Sequence, residues 1–322
     1  MITSPLYAAV SVTSLYILYK PRKHQTIDEG MIAYKGRHKV YRAKQYIPSK
    51  PARWGLKVWL RCDSLTGFCH QFDLYLGREQ YRGVAVGQAV VEKLTAGLEN
   101  KNFHIFYESF FTSVSLAKSL LSQKIFTCGT IVRNRKGFPA DLKNVPNMIQ
   151  GDFLIRYDYT FTRCLDDQSF LCNLTATLWM ESKLVAVLSI AASPLDRSTN
   201  ASRRLKDGTV ISVSRLESVG LYQQYFRGVD IFDQLRSKYP VGRPSKKWWK
   251  YVLHFLINTA IINAYIIMKK SLPSLPKKKY RQLDYRIALA QQLIGKFRTP
   301  VKATSRKIVH PTLRSTSFRK YQ

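Results

Sequence analysis

The sequence predicts an α/β fold, and three features of its first 132 residues predict it. A run at 24–33 (HQTIDEGMIA) and a β-rich hairpin at 56–76, turned by DSLTG, indicate three antiparallel strands. Apolar residues at helical spacing then alternate with short β-rich runs. The resulting order, β-β-β-α-β-α-β, fits a ribonuclease H-like mixed sheet with strand order 3-2-1-4-5, although other mixed sheets share it.

Each of these elements has its own local signal. Hydrophobic residues alternate through LKVWLRC and CHQFDLYL in the hairpin, as expected for strands. Helical spacing marks VGQAVVEKLTAGL and VSLAKSLLSQK, and β-rich runs follow each of them. The predicted strands are 24–33, 56–62, 69–76, 104–107 and 127–132, and the predicted helices are 86–98 and 114–124. Residues 1–132 are therefore expected to form the first part of the ribonuclease H-like core.

The pattern changes twice after residue 132. From 133 to 215 the sequence is β-rich and irregular, which predicts an inserted subdomain. Two helices follow, at 221–236 and 248–270, so residues 216–272 are expected to complete the core. Residues 273–322 are basic with little periodicity and are expected to form a tail.

The charge of the chain restricts its partners. Its 322 residues include 52 Lys and Arg against 20 Asp and Glu, a formal net charge of +32. A surface this basic repels itself unless it meets a polyanion, so nucleic acid is the first partner to consider. A ribosomal-type protein, or a soluble protein that is merely basic, is the alternative.

Cysteines and apolar segments indicate the compartment. The five cysteines are scattered without CxxC spacing, which predicts neither a disulfide framework nor a zinc site and favours a reducing compartment. The apolar residues 1–20 lack a basic n-region, so a buried segment or the remainder of a truncated domain is expected rather than a signal peptide or anchor. The long apolar run at 249–268 is interrupted by His254, Asn258 and Asn263, and we expect a core helix rather than a membrane span.

Four carboxylates fall where a ribonuclease H-like sheet would gather them. Asp28 lies on the first predicted strand, Glu108 ends the fourth, and Asp230 and Asp233 share one face of the late helix. Because the first and fourth strands of such a sheet are neighbours, these acids are expected to meet at one edge. A cluster of this kind is the usual ligand set for two Mg²⁺ ions in phosphodiester chemistry. The alternative is that each acid is a solvated surface group, or, for Asp230, a helix N-cap.

Basic residues near the C-terminal end predict contacts with DNA phosphates. The segment RPSKKWWK carries four cations next to two tryptophans, and a lysine run follows it. The alternative is a solvated helix entrance with Trp248 and Trp249 packed in the core. The predicted nucleic-acid-binding residues are Arg243, Lys246, Lys247, Lys250, Lys277, Lys278 and Lys279.

Several long motifs together resemble the piggyBac-type transposases, and in particular the piggyBac transposable element-derived proteins. They are TIDEGMIAYKGR with YIPSKPARWGLKVWLRCDSLTGF, FFTSVSLAKSLLSQ with CGTIVRNRKGFP, and LYQQYFRGVDIFDQLR with RPSKKWWKYVLHFLINTAIINAY. The resemblance implies a three-aspartate centre on a ribonuclease H-like fold, with an insertion before the last aspartate. Carried onto this sequence, the first aspartate is Asp28, the third is Asp230, and Asp233 is an accompanying acid. The second opens a DNFFTS-like motif that reads ESFFTS here, so Glu108 holds its position and Ser109 replaces the usual Asn.

The resemblance implies a transposase-derived DNA-binding protein, located in the nucleus and catalytically impaired by Glu108. Two alternatives stay open: an active metal-dependent cut-and-paste transposase with TTAA target preference, and a non-functional transposon remnant. Mg²⁺ or Mn²⁺ is expected if the metal site survives. No zinc is expected, because no cysteine follows Cys172 to supply the family's closing Cys-rich module, and we expect a copy truncated at both ends. The implied partner is duplex DNA, either transposon ends or non-specific sequence; no membrane is expected, and homodimerisation is left open.

Overall fold

The computed structural model describes residues 19–36, 43–48, 50–81, 83–145, 147–158, 174–192, 199–204, 207–271 and 281–295. The chain divides into two compact units, 1–274 and 275–322. In the first unit, four strands open the fold, three of them predicted, and helices then alternate with strands as far as residue 130, as the sequence predicts. The strands are β1 (His24–Ala33), β2 (Lys44–Tyr46), β3 (Trp54–Asp63), β4 (Cys69–Leu74), β5 (His104–Tyr107), β6 (Phe126–Thr130), β7 (Phe153–Asp158), β8 (Leu174–Met180), β9 (Leu184–Ser189), β10 (Thr199–Arg204) and β11 (Val210–Arg215). The helices are α1 (Val86–Thr95), α2 (Val114–Ser122), α3 (Glu217–Tyr225), α4 (Gly228–Lys238) and α5 (Trp248–Ser271), with α6 (Gln282–Ile294) in the second unit.

Nine of the described strands form one mixed sheet. Its order is β2-β3-β1-β5-β6-β9-β8-β7, and β4 also pairs with β3. The path β4-β3-β1-β5-β6 is the predicted order 3-2-1-4-5. β1 runs antiparallel to β3 and parallel to β5, and β5 runs parallel to β6. The prediction of a ribonuclease H-like mixed sheet is confirmed.

The described part of the predicted insertion divides between two sheets. β9 pairs antiparallel with β6, so β7, β8 and β9 continue the main sheet. β10 and β11 form a separate two-stranded sheet. The first half of the insertion thus shares its backbone hydrogen bonds with the core, while its boundaries as a domain stay a prediction.

Helices cover both faces of the sheet. On one face, α1 and α2 pack their leucines and valines against Ile27, Ile105 and Tyr107. On the other face, α3 packs Val219 and Tyr222 against Phe106, Cys128 and neighbouring residues of β8 and β9. Because strand side chains alternate between faces, Asp28 points to the α3 side, opposite to Ile27.

The single helix predicted at 221–236 is two helices, because the chain turns a corner at the sheet. The Thr26 hydroxyl donates to the Tyr225 carbonyl oxygen at 2.6 Å and accepts from the Gly228 N–H at 3.3 Å. A Cβ on Gly228 would lie 2.8 Å from both Thr26 Oγ1 and the Asp63 carbonyl oxygen. Only glycine allows this close approach, so α4 begins directly against β1 and β3.

α5 packs as a core helix, although by length and composition it could span a membrane, with a mean hydropathy of 1.6. Asn263, which is buried, accepts from the Cys69 N–H at 3.0 Å and donates to the Cys69 carbonyl oxygen at 2.8 Å. Asn258 donates to the Arg236 carbonyl oxygen at 3.1 Å. These polar side chains therefore join α5 to β4 and α4.

The second unit is described over 281–295. α6 occupies most of residues 281–295. It begins where the Arg281 N–H donates to the Asp284 carboxylate at 2.8 Å. This part of the predicted tail is thus helical, and its short apolar repeat was too weak a signal to separate from the basic surroundings.

Candidate functional site

Asp28 and Glu108 occupy equivalent positions on adjacent parallel strands. In the ladder of β1 and β5, Thr26 pairs with Phe106 and Ile27 with Tyr107. The next residue on each strand is the acid. Since neighbouring strands lie about 4.8 Å apart, the backbones of the two acids are side by side where β5 ends.

The turn after β5 holds the Glu108 backbone in place. The Glu108 carbonyl oxygen accepts from the Phe111 N–H and from the Thr112 hydroxyl, each at 3.0 Å. Arg135 reaches over from the loop after β6 and donates to the Ser109 carbonyl oxygen at 2.7 Å. The position of the acid is therefore fixed by backbone contacts, while its side chain is exposed.

α4 brings the remaining two predicted acids to the same edge. Asp230 lies in its first turn and is exposed. Asp233, one turn on, faces β1, since a Cβ on Gly30 would lie 3.8 Å from its Oδ1. Its carboxylate is bound by Arg236 at 2.9 Å, and Arg236 also donates to the Met31 carbonyl oxygen at 2.8 Å. Asp233 therefore ties α4 to β1, whereas Asp230 is open to the cleft.

The electrostatics of this edge show that the acids act on one another. Burial raises the pKa of Asp28 to about 7, with a further increase from Glu108, while Lys50 opposes the rise. Although the Glu108 side chain is exposed, partial desolvation by its neighbours raises its pKa; the charges of Glu29 and Asp230 add to the rise, and Lys50 opposes it. Negative charge is thus concentrated where β1, β5 and α4 meet.

Two groups that the sequence analysis did not single out also belong to this edge. Lys50 donates from Nζ to the Glu29 carbonyl oxygen at 3.0 Å. Tyr222 of α3 has a raised pKa, mainly through burial and in part because Glu108 and Asp28 are near. In the sequence, Lys50 is marked only by its place between two prolines in IPSKPAR. A single lysine in a basic chain is not distinguished from the other lysines, so its role could not be predicted.

The donor chemistry of the edge suits a hard divalent cation, but no ready-made ligand group is present. Carboxylate oxygens are what Mg²⁺ and Mn²⁺ bind, and neighbouring acids add to the rise, caused mainly by burial, in the pKa of Asp28 and of Glu108. Among the described residues, no three His, Cys, Asp or Glu side chains are grouped closely enough to hold a metal ion. Side-chain movement would therefore have to accompany binding.

A cleft of about 640 Å³ lies between β1, α4 and α5, beside two of the four predicted acids. Asp230 and Asp233 line one side, and Lys50 and Arg243 line others. Of the predicted DNA-binding residues, Arg243 thus lies in the cleft beside the acidic edge.

The other predicted cations cluster at the start of α5. Lys247 and Lys250 place their ammonium groups 5.9 and 5.8 Å from the ring centre of Trp249, which is 47% exposed. The Lys246 carbonyl oxygen accepts from the Tyr34 hydroxyl at 3.3 Å. An exposed Trp249 between two lysines is a surface feature, unlike the buried core tryptophan of the alternative interpretation. Lys277, Lys278 and Lys279 lie outside the described residues.

Comparison with known proteins accounts for this arrangement. A family model described as Transposase IS4 matches residues 13–265. The human PiggyBac transposable element-derived protein 3 is 28% identical over 255 residues, which cover 76% of this chain and 40% of that protein. The chain belongs to the piggyBac transposase family. The human PiggyBac transposable element-derived protein 2 is 27% identical over 250 residues, covering 74% of this chain and 39% of that one.

A solved piggyBac transposase structure has the same fold. A synaptic complex of piggyBac transposase with hairpin DNA, determined by cryo-EM, superposes with a TM-score of 0.70 at 29% identity. The match covers 87% of this chain and 54% of the transposase chain. This member of the family therefore spans about 40% of the curated relatives it matches and about half of the solved transposase.

Proposed function

We propose that this chain is a piggyBac transposase-derived, DNA-binding protein of the nucleus whose phosphodiester chemistry is weakened at Glu108. The observation that carries the proposal is the register of β1 with β5, which sets Asp28 and Glu108 side by side with Asp230 nearby. A surface with a formal net charge of +32 would deliver a polyanion to this edge. DNA is the polyanion in the solved relative, which is a complex with hairpin DNA.

Asp28, Glu108 and Asp230 would hold a divalent ion, Mg²⁺ or Mn²⁺, when one binds. Such an ion activates the attacking oxygen and stabilises the leaving oxygen of a phosphodiester. Glu108 carries its carboxylate one methylene further from the backbone than aspartate does, a displacement of about 1 Å. A misplacement of that size in a positioned site costs about 10²-fold in rate, which is the basis for proposing an impaired centre.

The cations of the cleft and of α5 are proposed to hold the DNA backbone. Arg243 lies beside the acids, and Lys247 and Lys250 extend the basic surface along the start of α5. Contacts of this kind neutralise phosphates and release counterions, so binding should weaken steeply as salt rises. Affinity for a duplex of about 16 base pairs that stayed flat between about 50 and 200 mM salt would refute this mode.

A nicking assay with Mn²⁺ tests the weakened centre. Wild type is compared with Glu108→Asp, which shortens the acid, and with Asp28→Ala, which removes a ligand. Glu99→Asp is the matched control, because Glu99 is an exposed surface acid that accepts from the Gly97 N–H. We expect Glu108→Asp to raise nicking about 10-fold or more, Asp28→Ala to abolish it, and Glu99→Asp to leave it unchanged.

One observation favours a second candidate, an active cut-and-paste transposase with TTAA preference. The charge of Asp230 adds to the rise in the pKa of Glu108, so the two acids are close enough to interact despite the longer side chain. Strong wild-type nicking that Glu108→Asp does not change would support this candidate and contradict the weakened centre. Nuclear location, proposed from the DNA-binding role, is tested by imaging a fluorescent fusion.

A further inference from the structure

Lys50 is held over the acidic edge by the loop between β2 and β3. The loop is closed by a hydrogen bond of 2.8 Å from the Ile47 N–H to the Arg53 carbonyl oxygen, and the Lys50 N–H donates back to Ile47 at 3.3 Å. Pro51 follows directly and restricts the backbone. A lysine on such a short, tied loop can place its ammonium group reproducibly, which a lysine on an open surface cannot.

The ammonium group of Lys50 lies among acids but is bound to a carbonyl. Its hydrogen bond goes to the backbone oxygen of Glu29, while its charge acts on both Asp28 and Glu108. An ammonium group has three donors, and one of them is used in this contact. Lys50 also lines the cleft that Asp230 lines.

A second lysine, Lys57 on β3, also contacts Glu29 but lies on the other face of the sheet and is engaged differently. Lys57 Nζ lies 3.2 Å from the Glu29 carboxylate and 4.1 Å from the ring centre of Trp59, with the Phe110 ring at 5.2 Å. A carboxylate and two aromatic faces already surround this ammonium group. Lys57 therefore carries the same charge as Lys50 and also contacts Glu29, but its ammonium group is already surrounded.

We infer that Lys50 is a positioning residue that binds a phosphate oxygen of the DNA strand lying against Asp28 and Glu108. The inference rests on the proposed DNA-binding function and names a residue that it requires. Without such a cation, a phosphate would approach the carboxylates against their combined negative charge. Lys50 supplies the attraction beside Asp28 and Glu108.

Salt-dependent binding of a duplex of about 16 base pairs, without divalent ions, tests this role. Lys50→Met should raise the dissociation constant about 3- to 10-fold at 100 mM salt and reduce the slope of log K against log salt by about 0.9, the loss of one phosphate contact. Lys50→Arg should keep the wild-type slope. Lys57→Met, the matched control, removes the same charge from a lysine that contacts Glu29 on the other face of the sheet, and it should also keep the wild-type slope.

Mn²⁺ binding without DNA, followed by electron paramagnetic resonance, gives the second measurement. Removing a cation from among the acids should tighten Mn²⁺ binding by Lys50→Met about 5-fold, even though the same variant binds DNA less tightly. A residue needed only for folding would weaken both. Acetylation footprinting of the wild type avoids substitution altogether: duplex DNA should slow acetylation of Lys50 relative to Lys93, which is ion-paired to Asp73.

The outcomes separate this inference from the function on which it rests. Wild-type protein that shows no salt-sensitive DNA binding overturns the proposed function and the role of Lys50 together. Wild-type binding with a steep slope, combined with an unchanged slope in Lys50→Met or an equal loss in Lys57→Met, overturns the role of Lys50 alone. Unchanged acetylation of Lys50 on DNA overturns it as well.

Discussion

Replacing Asp28 with asparagine should stabilise the protein at neutral and alkaline pH. Burial raises the pKa of Asp28 from its ordinary value of 3.8 to about 7. The folded state therefore keeps this proton up to about pH 7, whereas the unfolded chain loses it near pH 4. Consequently the free energy of unfolding falls as pH rises between these values. Asparagine is neutral at every pH and removes this cost.

The size of the effect follows from the pKa. A pKa higher by about three pH units corresponds to about 4 kcal/mol, at about 1.36 kcal/mol for each pH unit. Asp28 is partly accessible to solvent, so we take about 2 kcal/mol as the expected gain at pH 8 and about 4 kcal/mol as its upper bound. In a chain of 322 residues about 2 kcal/mol raises Tm by about 3 °C.

Thermal unfolding of wild type and Asp28→Asn between pH 4 and 8 measures the effect. The difference at pH 5 should be less than half of that at pH 8, and it should shrink further towards pH 4, where the unfolded chain begins to keep the proton as well. Asp141→Asn is the control, because Asp141 is a half-exposed partner of Arg156. Its loss should cost about 0–1 kcal/mol.

Either of two results would refute the reasoning. Asp28→Asn that is no more stable than wild type at pH 8 would mean that the carboxylate is not destabilised by burial. A stabilisation that does not depend on pH would mean that the gain comes from packing and not from charge. Added Mn²⁺ should raise the Tm of wild type at pH 8 and leave Asp28→Asn nearly unchanged, because only the former offers the ion a carboxylate there.

Three further substitutions test the surroundings of the site. Gly228→Ala should destabilise the fold by about 1–3 kcal/mol in denaturant unfolding, because its Cβ would lie 2.8 Å from Thr26 Oγ1; an unchanged midpoint would show that α4 can shift. Asn263→Leu should cost about 2–4 kcal/mol, since both backbone groups of Cys69 lose their partner, and a cost below about 0.5 kcal/mol would contradict that role. Arg135→Gln should weaken Mn²⁺ binding by loosening the turn that follows β5 while Tm falls by only a few degrees; equal metal affinity would show that the turn holds without it.

The sequence predicts the central sheet well because the signals there are local. The turn DSLTG and the alternation at 56–62 mark the hairpin of β3 and β4, and the runs at 104–107 and 127–132 mark the parallel strands. The break between α3 and α4 escaped prediction, because it depends on Thr26 contacting Gly228 from 202 residues away. The β6–β9 pairing escaped for the same reason, since no local pattern tells a strand which partner it will join.

In the candidate site, too, some residues could be predicted from local signals and others depend on long-range contacts. Placing Asp28 and Glu108 together required only that β1 and β5 be neighbours, and their register follows from it. Lys50 and the ion pair of Asp233 with Arg236 depend on side chains that reach across the edge, which composition and spacing do not encode.

The fold tolerates a shorter acid at residue 108, so a substitution there tests the chemistry of the carboxylate. The side chain of Glu108 is exposed, and the contacts that fix its position use its carbonyl oxygen and the backbone of Ser109. An aspartate at the same position would make the same contacts. Folding therefore places little restriction on the length of this acid, and only chemistry at the carboxylate does. For that reason the likeness of fold to the solved transposase does not tell whether Glu108 supports catalysis. The difference in nicking between Glu108→Asp and wild type reports on the carboxylate alone.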